Sequence, residues 1–309
     1  MNWSGDVIQP LNEFTVREQD VGGGVLRVVR RRGSQSAYLS RRMIILVHGF
    51  NVPQQAAVES FATFHGRLSD QLSGVGRHLP PIWAFYWPGD HESRGLSAAT
   101  YSARIPVAER AGERLGKLLT KLDPAQQVIL IAHSLGCRVV LEALRYVADE
   151  EAGGTASAEV PVACLLAAAV PVGRCVGQAE PYAPSVITNT VHVLYSCRDR
   201  ILQWTFRVGQ HIYGEDKGEA VGRNGWPVDR WAEPYDTGLG HKGYWSASQS
   251  VDEVARVIEP TLSRGIAIRY LPAEEPNEGR NIEARRIADR SQGDDLDSAW
   301  TDCWPTAGV

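Results

Sequence analysis

Val128-Ile129-Leu130-Ile131-Ala132-His133-Ser134-Leu135-Gly136 is the stretch whose reading decides the fold. Its first five residues are continuously apolar and rich in β-branched side chains, which suits a strand covered on both faces. From Leu135 to Val147 the apolar residues then recur at helical intervals. A strand that passes into a helix through a single serine makes a sharp turn. The turn holds the hydroxyl proud of the sheet and needs small flanking residues, because backbones approach closely there. Ala132 and Gly136 supply them. An alcohol becomes a useful nucleophile only when a base takes its proton. A helix starting at the serine also aims its N-terminal N–H groups at the reacting centre. Ser134 is therefore the candidate nucleophile. The usual pattern is G-x-S-x-G, and here Ala132 stands for the first glycine. The plain alternative is an ordinary strand-to-helix turn with Ser134 as its N-cap.

A tetrahedral intermediate needs donors for its oxyanion, commonly two backbone N–H groups. Leu135, directly after the serine, offers one. The second is expected from the loop after another apolar run, Met43-Ile44-Ile45-Leu46-Val47, which ends in His48-Gly49-Phe50-Asn51. Phe50 is the first choice of donor there and Asn51 the second. His48 is then a structural residue that hydrogen-bonds the loop.

Outward from these two turns the chain alternates strand and helix patterns. Val25 to Val29 reads as a short strand, and Pro53 to Leu72 as a helix with Ala57, Phe61, Phe64, Leu68 and Leu72 on one face. Pro81 to Trp87 reads as a strand closed by Pro88-Gly89, and Ala103 to Leu122 as a helix. Val162 to Val170 and Val191 to Tyr195 are further strands, Gln249 to Leu262 a helix, and Ile266 to Leu271 a last strand. Repeated strand–helix–strand units indicate an open parallel sheet with helices on both faces. Leu202 to Trp231 has poor periodicity but many aromatics: Trp204, Phe206, Tyr213, Trp226 and Trp231. Such a segment either covers an apolar pocket as a lid or packs on the sheet. We expect one domain over 1–272, with this lid-like insertion at about 202–231. The tail, 273–309, carries nine acidic and four basic residues with little apolar clustering, and is expected to be flexible.

Composition narrows the function. The chain has 43% hydrophobic and 22% charged residues and a formal net charge of −4, which argues against nucleic acid as a partner. The arginines at 27, 30, 31, 32, 41 and 42 are expected to form a solvated surface. The five cysteines are odd in number and lack C-x-x-C spacing, so neither a disulfide framework nor a zinc site is indicated. Cys137, Cys164 and Cys197 read as small buried hydrophobes. No H-E-x-x-H or paired ligand spacing appears, so no metal or other cofactor is expected. Neither a signal peptide nor a transmembrane run is apparent, and a cytoplasmic setting is the default.

The order strand-His-Gly-Phe-Asn, strand-Trp87-Pro88-Gly89, Ala-His-Ser-Leu-Gly and a late Gly240-His241 resembles the α/β-hydrolase superfamily. Within it the chain is similar to a mostly bacterial domain-of-unknown-function group of serine hydrolases, over about Met43 to Ser263. The resemblance implies the α/β-hydrolase fold and a triad in the order Ser, acid, His. The acid follows a late strand, which points to Asp199 after Val191-His192-Val193-Leu194-Tyr195, with Asp216, Asp229 and Asp236 in reserve. The base lies in a loop before a helix, which points to His241 in Asp236-Thr237-Gly238-Leu239-Gly240-His241, with His211 as the rival. The expected activity is hydrolysis of a small-molecule carboxylic ester or thioester through an acyl-enzyme. A serine peptidase, or a hydrolase fold kept as a binding module, are the alternatives.

Overall fold

The computed structural model describes residues 11–17, 25–90, 98–177, 180–183, 190–215, 218–225 and 231–264. Contacts divide the chain into Met1–Ile266 and Ala267–Val309, and every described residue belongs to the first unit. The expected strand at Ile266 to Leu271, the acidic tail, Trp226, Asp216 and Asp229 lie outside the described residues.

Among the described residues eight strands form one sheet: β1 (Asn12–Arg17), β2 (Val25–Arg32), β3 (Arg42–Val47), β4 (Ile82–Tyr86), β5 (Gln127–His133), β6 (Glu159–Leu166), β7 (Thr190–Tyr195) and β8 (Tyr235–Asp236). Their order across the sheet is β2-β1-β4-β3-β5-β6-β7-β8. Among these strands β1 and β2 pair antiparallel and the other neighbours are parallel. The helices are α1 (Gln35–Tyr38), α2 (Gln54–Gly74), α3 (Ala98–Leu119), α4 (Gly136–Ala152), α5 (Arg207–Tyr213), α6 (Val221–Asn224) and α7 (Ser248–Ser263). This is the α/β-hydrolase architecture, a mostly parallel sheet carrying helices.

The central strands read as uninterrupted apolar runs because both faces are covered: Met43 to Val47 and Val128 to Ala132 are all buried. Toward the edge the pattern becomes alternation. In β1 only Phe14 and Val16 are fully buried, and Phe14 stacks on Trp83 of β4 at 4.3 Å between ring centroids. The sequence alone does not mark this strand, since two inward residues make too short a period to recognise. The edge strand β2 exposes Arg27, Arg30, Arg31 and Arg32, whose charges suit an unpaired sheet edge.

Part of the segment with poor periodicity is helical: a π-helical turn, Leu202–Phe206, continues into α5, and α6 follows. Of its aromatics, Phe206 and Trp231 are buried while Trp204 and Tyr213 are exposed. Cys197, expected to be a buried hydrophobe, is instead exposed in the turn after β7, whereas Cys137, Cys164 and Cys175 are buried.

Candidate active site

The strand-to-helix turn at Ser134 has the geometry that its flanking residues demand. Ser134 adopts φ 55°, a left-handed conformation costly for a residue with a Cβ. The surroundings hold it there: its N–H donates to Leu166 O (2.9 Å), and its carbonyl accepts from Cys137 N (3.0 Å) and Ala169 N (3.1 Å). Small residues are needed on two sides. A Cβ on Gly136 would run into the His48 carbonyl oxygen, and one on Gly49 would stand 2.8 Å from Ser134 Cβ. The β3 and β5 turns thus touch through two glycines, which brings the His48-Gly49-Phe50-Asn51 loop against the serine.

His48 ties that loop to the end of β4. Its Nε2 accepts from the Trp87 N–H (3.3 Å), so the proton sits on Nδ1 and is donated to Gly49 O (3.0 Å). The Trp87 indole donates in turn to the His48 carbonyl at 2.8 Å. Burial pushes the His48 pKa down to about 4, so the ring is neutral. Asn51 has φ 56°, and its N–H is already taken by Gly89 O at 2.8 Å. The Phe50 and Leu135 amides have no backbone acceptor among the described residues.

His241 reaches Ser134 from a loop 107 residues further along the chain: its Nε2 lies 2.9 Å from Ser134 Oγ. On the other side its Nδ1 is 2.7 Å from Asp199 Oδ2. A carboxylate can only accept, so Nδ1 carries the proton and Nε2 is free to accept from the serine hydroxyl. Asp199 is fully buried in the turn after β7, and its second oxygen accepts from Leu202 N at 2.9 Å. The His241 side chain is 12% exposed, while Ser134 is buried.

The loop that carries His241 is tied down residue by residue. Thr237 donates through both N–H (2.9 Å) and hydroxyl (3.0 Å) to Tyr195 O, and Tyr244 OH bonds the same hydroxyl at 3.1 Å. His133 adds a bond to His241 itself: its Nε2–H donates to the His241 carbonyl at 2.8 Å. Burial, with the neighbouring His241 adding to it, lowers the His133 pKa to about 3. In the sequence His133 is simply part of the strand-to-helix turn. A polar ring directly before the serine, in an otherwise apolar strand, was the available signal that it has a partner to find.

The rival residues are elsewhere. His211 is exposed on α5, and Asp236 is exposed and caps its own turn through Gly238 N at 2.9 Å. His192 is partly buried in β7. A cleft of about 250 Å³ opens beside the His241 loop, lined by Thr63, Trp245 and Ser246 among others, but Ser134 does not line it. Among the described residues no group of three or more His, Cys, Asp or Glu side chains is arranged to hold a metal ion.

Comparison with known protein families agrees with this architecture. The family described as alpha/beta hydrolase of unknown function (DUF900) matches residues 34–214. Among solved structures, Zea mays acyl-protein thioesterase 2 is similar at 14% identity, covering 72% of this chain and 94% of its own, with a TM-score of 0.40. A Pyrococcus furiosus esterase has 14% identity, 85% and 92% coverage and a TM-score of 0.36. Carboxyl esterase 2 of the fungus Tuber melanosporum has 11% identity, 73% and 79% coverage and a TM-score of 0.35. No curated protein matches the chain. With more than half of its length matched, and the sheet and turns described above, the chain belongs to the α/β hydrolases of unknown function designated DUF900.

Proposed function

We propose that the chain is a serine hydrolase that cleaves a carboxylic ester or thioester through an acyl-enzyme. The observation that carries this reading is the unbroken relay from Ser134 Oγ through His241 to the buried Asp199 carboxylate. In the first step Ser134 Oγ attacks the acyl carbonyl while His241 Nε2 takes its proton. Asp199 holds the ring in the Nδ1–H tautomer and stabilises the imidazolium. The oxyanion is met by the Phe50 and Leu135 N–H groups. Asn51 is the weaker choice, because Gly89 O occupies its amide. The imidazolium then protonates the departing alcohol or thiol. Water, deprotonated by the same His241, releases the acid and restores the serine.

A fluorophosphonate label on the purified chain tests the reading. Wild type is expected to be modified at Ser134 and the Ser134→Ala variant to stay unmodified. Equal labelling of both, or of neither, rejects the proposal and favours a fold kept for binding. A panel of esters and thioesters of graded acyl length then identifies the substrate class.

A further inference from the structure

The helix that starts at the acid has an outer face that packing within the domain does not explain. Its inner face is buried against α3: Phe206 lies 6.1 Å from the Tyr101 ring, Gln210 Nε2 donates to Tyr101 OH at 3.2 Å, and Gly209 leaves room for the same ring. The outer face carries Trp204, Val208 and Ile212, exposed by 66%, 51% and 53%. Their spacing of four residues puts them in one stripe about 12 Å long. Arg200 precedes Trp204 by the same spacing, Arg207 lies beside Val208, and both are exposed, as is Arg198. The acidic residues within 198–215 are Asp199 and Glu215, both buried, the first bonded to His241 and the second to Arg138 and Arg174. Within 198–215 the exposed charged side chains are therefore all arginines.

We infer that the Trp204–Val208–Ile212 stripe, with Arg200 and Arg207, docks on an anionic lipid surface. A helix with an apolar stripe bordered by arginines lies in a bilayer interface, its hydrocarbon side chains among the acyl chains and its cations at the headgroups. Tryptophan is the side chain most suited to that boundary. The three apolar side chains of the stripe stand exposed along a single helix, which suits insertion into a fluid surface. A second copy on the same face would bring its arginines against these, as an isologous contact repeats the same patch. Asp199 Oδ1 accepts from Leu202 N in the first turn of this helix, so docking would bring the bilayer beside the element that carries the proposed acid. No described helix is long and apolar enough to cross a membrane, so the contact is peripheral.

Binding can be read without turnover, which keeps this inference separable from the serine chemistry. The full chain is sedimented with vesicles of phosphatidylcholine alone or mixed with phosphatidylglycerol. Wild type and Ser134→Ala are expected to pellet alike with the anionic vesicles, and less as salt is raised. Changing Trp204, Val208 and Ile212 together to Ser is expected to weaken partitioning at least about ten-fold. Arg200→Gln with Arg207→Gln should weaken it by roughly 25-fold on anionic vesicles, about five-fold per charge, and little on phosphatidylcholine. Circular dichroism confirms that these surface variants remain folded. Wild type left in the supernatant with both vesicles overturns the inference. So does undiminished binding of the triple variant, or a dimer in gel filtration that the triple variant dissolves, which would assign the stripe to a second copy.

Discussion

Replacing Asp199 by Asn changes one atom and tests the whole relay. Asp199 Oδ1 accepts from Leu202 N at 2.9 Å and Oδ2 from His241 Nδ1 at 2.7 Å. In the variant the amide oxygen must stay with the Leu202 N–H, since an NH₂ group cannot accept. The NH₂ then faces His241 Nδ1, which has to become the acceptor, and the ring proton moves to Nε2. There it points at Ser134 Oγ, 2.9 Å away, and the serine loses its proton acceptor. The expected loss in turnover is about 10⁴-fold, or about 5.4 kcal/mol in the barrier. Stability should change by no more than about 1–2 kcal/mol, because both contacts persist as neutral hydrogen bonds. Asp199→Ala should lose similar activity and cost a further 1–3 kcal/mol or so, as the buried Leu202 N–H is left unpaired. Turnover of a short-chain p-nitrophenyl ester, with urea unfolding of each variant, measures both effects. A folded Asp199→Asn protein within ten-fold of wild-type turnover would refute the reasoning and leave Asp199 as a helix cap.

Further expectations rest on other contacts. His241→Ala should abolish ester turnover, whereas His211→Ala, on the exposed face of α5, should leave it within a few-fold; the reverse result reassigns the base. Gly136→Ala should destabilise the domain and reduce labelling of Ser134, because the new Cβ collides with the His48 carbonyl; differential scanning calorimetry and fluorophosphonate labelling read the two effects. His48 and His133 are held neutral with pKa values of about 4 and about 3, below the roughly 6.5 of an unfolded histidine. The unfolded chain therefore binds more protons, and stability should fall as pH drops below about 6.5, by up to about 1.4 kcal/mol per unit for each ring. Urea midpoints at pH 7 and pH 5 measure this, and His48→Gln should show a shallower fall. Arg138 is fully buried and pairs with Glu109 (2.9 Å) and Glu215 (2.7 Å); Arg138→Met should cost about 3 kcal/mol, at the low end for a broken buried pair because Arg174 also holds both glutamates. An unchanged unfolding midpoint would contradict that assignment.

What could be read from the sequence was what short-range geometry decides. A buried strand, a left-handed serine and a helix are consecutive in the chain, so Val128 to Gly136 carries its own constraints, as does Met43 to Asn51. The continuous apolar runs of β3 and β5 likewise declare strands covered on both faces. The helix from Leu202 to Tyr213 is hidden in the sequence for a physical reason. Leu202, Trp204, Phe206 and Val208 alternate with Gln203, Thr205 and Arg207, so the apolar residues follow a period of two rather than 3.6. Which acid and which histidine meet Ser134 is a matter of long-range contact. His241 lies 107 residues from the serine and 42 from Asp199, and spacing along the chain says nothing about such distances. The order of β5, β6, β7 and β8 across the sheet brings the ends of these strands side by side. The same holds for Asn51 and His133. Their types and positions were plain in the sequence, but the Gly89 carbonyl that occupies one amide and the His241 carbonyl that receives the other ring's proton belong to segments joined only by folding.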